Sequence, residues 1–244
     1  MESFFNAYVE QGFIAFSFSH LIALLGFSGI AAALYFSRSW WQQGERSKYG
    51  RYLLAAILIL CEFALNMWYV RQNVYNVQDT LPLELCSISM YICTAMLLLR
   101  SRLLFQIAYF AGIGGALQAL LTPVLGYPFP HFRFLQFFMA HSAIILSALY
   151  MVWVEKLRPT LKSIAWTMLF LNLLIIPVSL INYWTGGNYM FLARKPDSAS
   201  LLDVLGPYPW YLLSMEAVAL ILFFLLYAPF AITDWISRRS VKPQ

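Results

Sequence analysis

The strongest constraint on this chain is the length of its uncharged runs. A helix needs about 20 mostly apolar residues to cross a hydrocarbon core. Seven stretches reach or approach that length: 16–36, 53–70, 82–99, 103–121, 134–154, 161–181 and 209–230. The third is the least regular, because Glu84 falls just inside it. Only 11% of the 244 residues are charged and 61% are hydrophobic. A soluble domain carries roughly 25% charged residues, so this chain lacks the polar surface to coat a globule in water. The same figures exclude a disordered chain, a collagen-like fibre and a basic nucleic-acid-binding domain. Three cysteines are too few for a disulfide scaffold. The expected fold is all-α: a polytopic membrane helical bundle of seven transmembrane helices, forming a single transmembrane domain over residues 1–244.

The excess of Lys and Arg over Asp and Glu follows a topology. With the amino terminus outside, the inner loops collect Arg38, Arg46, Lys48, Arg51, Arg100, Arg102, Lys156, Arg158, Lys162, Arg238, Arg239 and Lys242. The outer segments keep only Arg71, Arg133, Arg194 and Lys195. That bias is the positive-inside pattern, with the carboxyl terminus in the cytoplasm and the chain expected in the cell membrane. Trp40-Trp41, Trp68-Tyr69, Tyr183-Trp184 and Trp210-Tyr211 fall at the expected headgroup belts. The first span has no basic segment ahead of it and no small-residue cleavage site after it, so it reads as a membrane helix and not a cleaved signal. In the long connection from 182 to 209, Asn188-Tyr189-Met190-Phe191-Leu192 is an amphipathic piece able to fold back onto the membrane surface.

Polar side chains at bilayer depth are costly unless paired or wetted, and so point to function. They are His20, Glu62, Asn66, Glu84, Cys86, Gln118, His141, Asn172 and Glu216. At a rise of 1.5 Å per residue, Asn66 lies about 6 Å and Glu62 about 12 Å from the outer end of their helix. Glu84, Cys86 and Gln118 lie near the outer ends of theirs, and only Asn172 approaches the midplane. One outer half-layer thus holds nearly all the polar groups, a pattern that predicts a cavity open to the outer leaflet. Glu62 and Asn66 share a face by their i,i+4 spacing. Pro82 suits the first turn of a helix, which places Cys86 in or near that turn. There the helix dipole and unpaired N–H groups favour a thiolate. A histidine from another helix then serves as the base of a nucleophile–base pair. A carboxylate directly beside the thiol works against it, so Glu84 must be turned away or paired. Cys61 and Cys93 read as small apolar packers. Ala108, Gly112, Gly115 and Ala119 read as helix-packing residues. No close ligand spacing points to a metal, and no motif points to a cofactor.

The chain resembles the bacterial YwaF-type integral membrane proteins. The resemblance is carried by Leu81-Pro82-Leu83-Glu84-Leu85-Cys86-Ser87-Ile88-Ser89, by YFAGIGGALQALLTP from Tyr109 to Pro123, and by Pro130-His131-Phe132-Arg133-Phe134 with Phe137-Phe138-Met139-Ala140-His141. Asn188-Tyr189-Met190-Phe191-Leu192 and the run from Ser200 to Tyr211 extend it. A more distant likeness is to a vertebrate cysteine-centred acyltransferase of ether lysophospholipids. Another is to the androgen-induced membrane hydrolases of fatty-acid esters. The resemblance implies a Cys nucleophile at Cys86 and a His base at His141.

The reading is a membrane-embedded lipid acyltransferase or lipid ester hydrolase whose partners are membrane phospholipids or lysophospholipids. Asn66 or backbone N–H groups near Cys86 are the expected oxyanion donors, and Glu62 or Glu84 the expected orienting group for the imidazole. His131 and Arg133 are expected to hold a lipid phosphate, with His20, Gln118 and Glu216 lining the substrate cavity. Two alternatives differ in class. A small-solute or proton-coupled transporter, or a channel, would use Glu62, Glu84 and Glu216 to carry protons or bind a cation and would need polar groups reaching the inner face. A non-catalytic assembly partner would use the polar cluster only to lock helices.

Overall fold

The computed structural model describes residues 2–9, 12–196 and 201–240; Ser200 and Lys242 lie outside them. The described residues form helices and no strand. A short α1 (Glu2–Phe5) precedes α2 (Phe18–Trp41), α3 (Arg46–Arg71), α4 (Leu85–Leu99), α5 (Arg102–Ile107), α6 (Ile113–Leu121), α7 (Phe132–Trp153), α8 (Leu161–Thr185) and α9 (Trp210–Ser240). A π turn, Ala108–Gly112, joins α5 to α6, so the three pieces make one continuous span. Among the described residues six helices are long and apolar enough to cross a membrane, and α4 is a shorter apolar one. The architecture is a polytopic helical membrane bundle.

Burial divides the helices into a centre and a rim. Within its most apolar window α7 is 67% buried and the α5–α6 span 61%, whereas α2 and α9 are only 6% buried. Against α7 pack α3, α4 and α6, around Leu58, Cys93, Leu97, Phe110, Ile144 and Met151. Cys61 and Cys93 are buried among these apolar residues, the packing role expected of them. Small residues let the centre close. A Cβ on Gly112 would come within 3.2 Å of Ile144, and one on Gly115 within 3.3 Å of Leu85. Gly50 is more constrained, since a Cβ there would sit 2.2 Å from the Tyr150 hydroxyl. That hydroxyl donates to the Ser47 carbonyl at 3.0 Å.

One end of the bundle is closed by charge. Glu155 takes Arg51 at 3.0 Å and Arg100 at 2.7 Å on its two carboxylate oxygens. Arg51 also donates to the Leu97 carbonyl at 2.6 Å, tying α3 to α4.

The opposite end is built differently. The third span starts at Leu85 and not at Pro82. Glu84 is its N-cap, in an extended conformation (φ −66°, ψ 146°), and Pro82 sits in the turn before it, where Leu83 N–H bonds the Leu81 carbonyl at 2.7 Å. With 15 residues, α4 is about 22 Å long, short of a core of about 30 Å. Irregular backbone at membrane depth is stable where it lines a cavity or is buried in protein. This entry turn lines a cavity.

Candidate functional site

A cavity of about 460 Å³ opens between α3, α4, α6 and α7, beneath the 188–192 segment. Its size is that of a small-molecule pocket. Glu62, Asn66, Glu84, Cys86, Gln118, Arg133 and His141 all line it, so seven of the polar residues singled out in the sequence meet in one space. Glu216 lines a second cavity of about 330 Å³, which shares Gln118 and Leu85 with the first.

Cys86 is the second residue of α4 and half-buried at the cavity wall. The first N–H of α4 with a helical partner is that of Ile88, which bonds the Glu84 carbonyl at 3.0 Å. Glu84 makes no side-chain cap. The N–H groups of Leu85, Cys86 and Ser87 are therefore the free donors of a helix N-terminus. Glu84 is paired elsewhere: its Oε2 accepts the N–H of Met190 at 3.2 Å.

His141 lies on another helix, α7, 55 residues further along the chain, with 8% of its surface exposed. Its Nδ1 is 2.7 Å from the Phe137 carbonyl. A carbonyl only accepts, so Nδ1 carries the proton and Nε2 keeps its lone pair. The ring is also held against Phe137, with centroids 4.1 Å apart. A backbone carbonyl thus sets the tautomer, in place of the carboxylate expected from Glu62 or Glu84. Among the described residues no hydrogen bond joins Cys86 to His141; they share the cavity wall.

Asn66 does not fit the oxyanion role. Its amide donates to the Glu62 carbonyl at 2.9 Å and to Glu62 Oε1 at 3.2 Å, which uses both of its hydrogens. Glu62 Oε1 also accepts the Tyr91 hydroxyl at 2.9 Å, and Oε2 is buried without a partner. Arg133 donates to Gln136 Oε1 at 2.6 Å and lies over the Trp68 and Tyr69 rings at 5.7 and 5.6 Å. Its Nε is buried with no acceptor.

Two histidines expected at the substrate, His20 lining the cavity and His131 holding a lipid phosphate, make structural bonds away from the cavity. His20 is fully buried. Its Nε2 donates to the Leu120 carbonyl at 2.8 Å, and Nδ1 accepts Phe16 N–H at 2.9 Å. It fastens α2 to the end of α6. His131 caps α7: Nδ1 accepts Arg133 N–H at 3.0 Å, Nε2 donates to the Asn6 carbonyl at 3.0 Å, and the ring stacks on Tyr127 at 4.5 Å. Burial pushes its pKa below the ordinary imidazole value, aided by the Arg133 charge and opposed by the Asn6 carbonyl. Asn172, the lone midplane polar group, is exposed on α8 and bonds its own helix at Met168.

Sequence reasoning missed three contributors. Gln136 is buried, bridges Arg133 to the Cys61 carbonyl and lines the cavity. It stands three residues after Arg133 in an apolar helix, the same signal that marked Gln118. Tyr91 was hidden among ordinary belt aromatics. The third is the roof. Tyr189 is clamped by Asn182 through two bonds, Nδ2 to the Tyr189 carbonyl at 3.0 Å and Tyr189 N–H to Oδ1 at 2.8 Å. Its hydroxyl reaches Val77 and accepts Leu81 N–H. Met190 and Phe191 then turn over the cavity with positive φ of 56° and 53°. The amphipathic piece, read from the sequence as able to fold back onto the membrane surface, covers the cavity.

The model of the TMEM164 family matches residues 15–227. No curated protein and no solved structure matches the chain. The matched stretch takes in every cavity residue named above, and the chain belongs to the TMEM164 family, a family of membrane proteins.

Proposed function

We propose that this member of the TMEM164 family is a membrane-embedded lipid acyltransferase or lipid ester hydrolase, working in the cell membrane from the outer leaflet. The observation that carries the reading is the shared cavity: a thiol at a helix N-terminus and a neutral imidazole, its tautomer fixed with Nε2 as acceptor, line one open cavity. The same order of residues gives the distant resemblance to cysteine-centred acyltransferases.

In this reading Cys86 Sγ attacks an ester carbonyl of a phospholipid while its proton passes to His141 Nε2. The tetrahedral oxyanion is held by the free N–H groups of the first turn of α4, not by Asn66. Collapse breaks the C–O bond, and the imidazolium returns its proton to the leaving lysolipid oxygen. The acyl group is then a thioester on Cys86. A second lysophospholipid hydroxyl or a water attacks it, with His141 again as base; the C–S bond breaks, and the imidazolium returns the proton to Cys86 Sγ. The Arg133 guanidinium, on the cavity wall beside the Trp68 and Tyr69 rings, is the ligand for the lipid phosphate through a charge-assisted bond.

The full chain, purified and reconstituted in phosphatidylcholine vesicles with lysophospholipid added, tests this. Cys86→Ser and His141→Ala should each lower acyl turnover by about 10³-fold or more. Intact-mass analysis of the wild type should find an acyl adduct on Cys86. Wild-type turnover in Cys86→Ser overturns the reading.

A further inference from the structure

The second cavity has no role in the chemistry above, yet it opens directly from the catalytic one. Leu85, which precedes Cys86, and Gln118 belong to both. From that neck the 330 Å³ space runs between α6, α8 and α9. On α9 its lining extends from Leu212 to Phe223, and on α8 from Ser179 to Met168. Either interval is about 16 Å of helix axis, close to half of a core of about 30 Å.

The lining changes along that length. Its polar members, Gln118, Tyr208, Ser179 and Glu216, fall in the half nearer the neck, and the deeper half is Ala111, Met168, Leu171, Ala219, Leu222 and Phe223. Phe223 is 2% exposed and packs on Phe110 with ring centroids 5.4 Å apart. That pair forms a floor. A space polar at its mouth, apolar below, one leaflet deep and joined to the thiol at its mouth has the shape and chemistry of a single hydrocarbon chain hung from an ester.

We infer that this second cavity is the acyl-chain chamber of the site, with α8 and α9 as its lateral walls and the Phe110–Phe223 pair setting the longest chain accepted. The inference rests on the catalytic reading proposed above. It makes Ala219 and Phe223 specificity-determining residues, one narrowing the shaft and the other closing it.

The test uses the reconstituted full chain and phosphatidylcholines that differ only in the length of one acyl chain. Ala219→Phe should raise the ratio of short-chain to long-chain turnover by about tenfold or more, since a few methylenes in an apolar pocket are worth that much. Phe223→Ala should move the ratio in the opposite direction. Equal changes for every chain length overturn the inference. A second measurement does not depend on turnover. Cys86→Ala protein in vesicles containing a phosphatidylcholine with a diazirine near the acyl terminus should crosslink at Leu171, Ala219 or Leu222. Crosslinks confined to the lipid-facing surface of the bundle overturn the chamber even if the variants fail to fold. Loss of the Cys86 adduct in the wild type, with crosslinks still in the chamber, instead overturns the catalytic reading alone.

Discussion

The two ends of the bundle treat buried charge in opposite ways. At one end Glu155 is ion-paired with Arg51 and Arg100 through its two oxygens, so each buried charge has a counter-charge even though the Arg51 Nε–Glu155 Oε1 contact is not itself a hydrogen bond. At the other, Glu62 Oε2 and Arg133 Nε are buried without partners beside an open cavity. A buried charge left unpaired is expensive, and breaking a satisfied pair is expensive too. The difference therefore separates a lock from a site. Charges that are spent on each other hold the fold, whereas Glu62 and Arg133, for which no ion pair forms among the described residues, line the cavity.

That contrast can be broken in several places. Beyond the loss of turnover expected for Cys86 and His141, the largest effect lies at the closed end. Glu155→Gln leaves the Arg51 guanidinium buried without its counter-charge and should destabilise the protein by about 3 kcal/mol. Thermal unfolding in detergent should show this, while activity per folded molecule stays at the wild-type level. A variant as stable as wild type would remove the lock. Next, Arg133→Gln should lower kcat/KM on phospholipid by about 10- to 100-fold, the worth of a hydrogen bond to a charged group. A neutral glyceride ester should lose much less, and equal losses would show that Arg133 only supports the wall. Asn66→Ala should lower turnover by less than about tenfold, because both amide hydrogens already serve Glu62. A loss of 10²-fold or more is the mark of an oxyanion donor and would return Asn66 to that role. The smallest effect concerns His131. Its native pKa is depressed, so the unfolded chain binds the proton more readily. Its contribution is complete above the ordinary imidazole value of about 6.5 and declines as pH falls through it. Thermal shifts measured near pH 7 and pH 5 should differ less in His131→Gln than in wild type.

Hydropathy made the helices legible, because a membrane span leaves little freedom in length or composition. Depth was legible for the same reason: a fixed rise per residue places Cys86, Glu62 and His141 in one layer. Azimuth was not. His20 and His131 lie at the right height, but each ring turns to a backbone carbonyl of a neighbouring segment and never faces the cavity. Local spacing predicts contacts within a helix, as for Glu62 and Asn66, and says little about rotation of one helix against another. The start of α4 was misplaced for a related reason. Pro82 is compatible with a first helical turn, yet the chain needs an extended Glu84 to carry its carboxylate to Met190. That demand comes from a segment a hundred residues away.

The brevity of α4 has a geometric outcome. Its axis leaves about 8 Å of a core of about 30 Å unspanned. The turn from Leu81 to Glu84, with Met190 and Phe191, fills that interval instead, so the helix end that carries Cys86 is covered by irregular backbone from two distant segments.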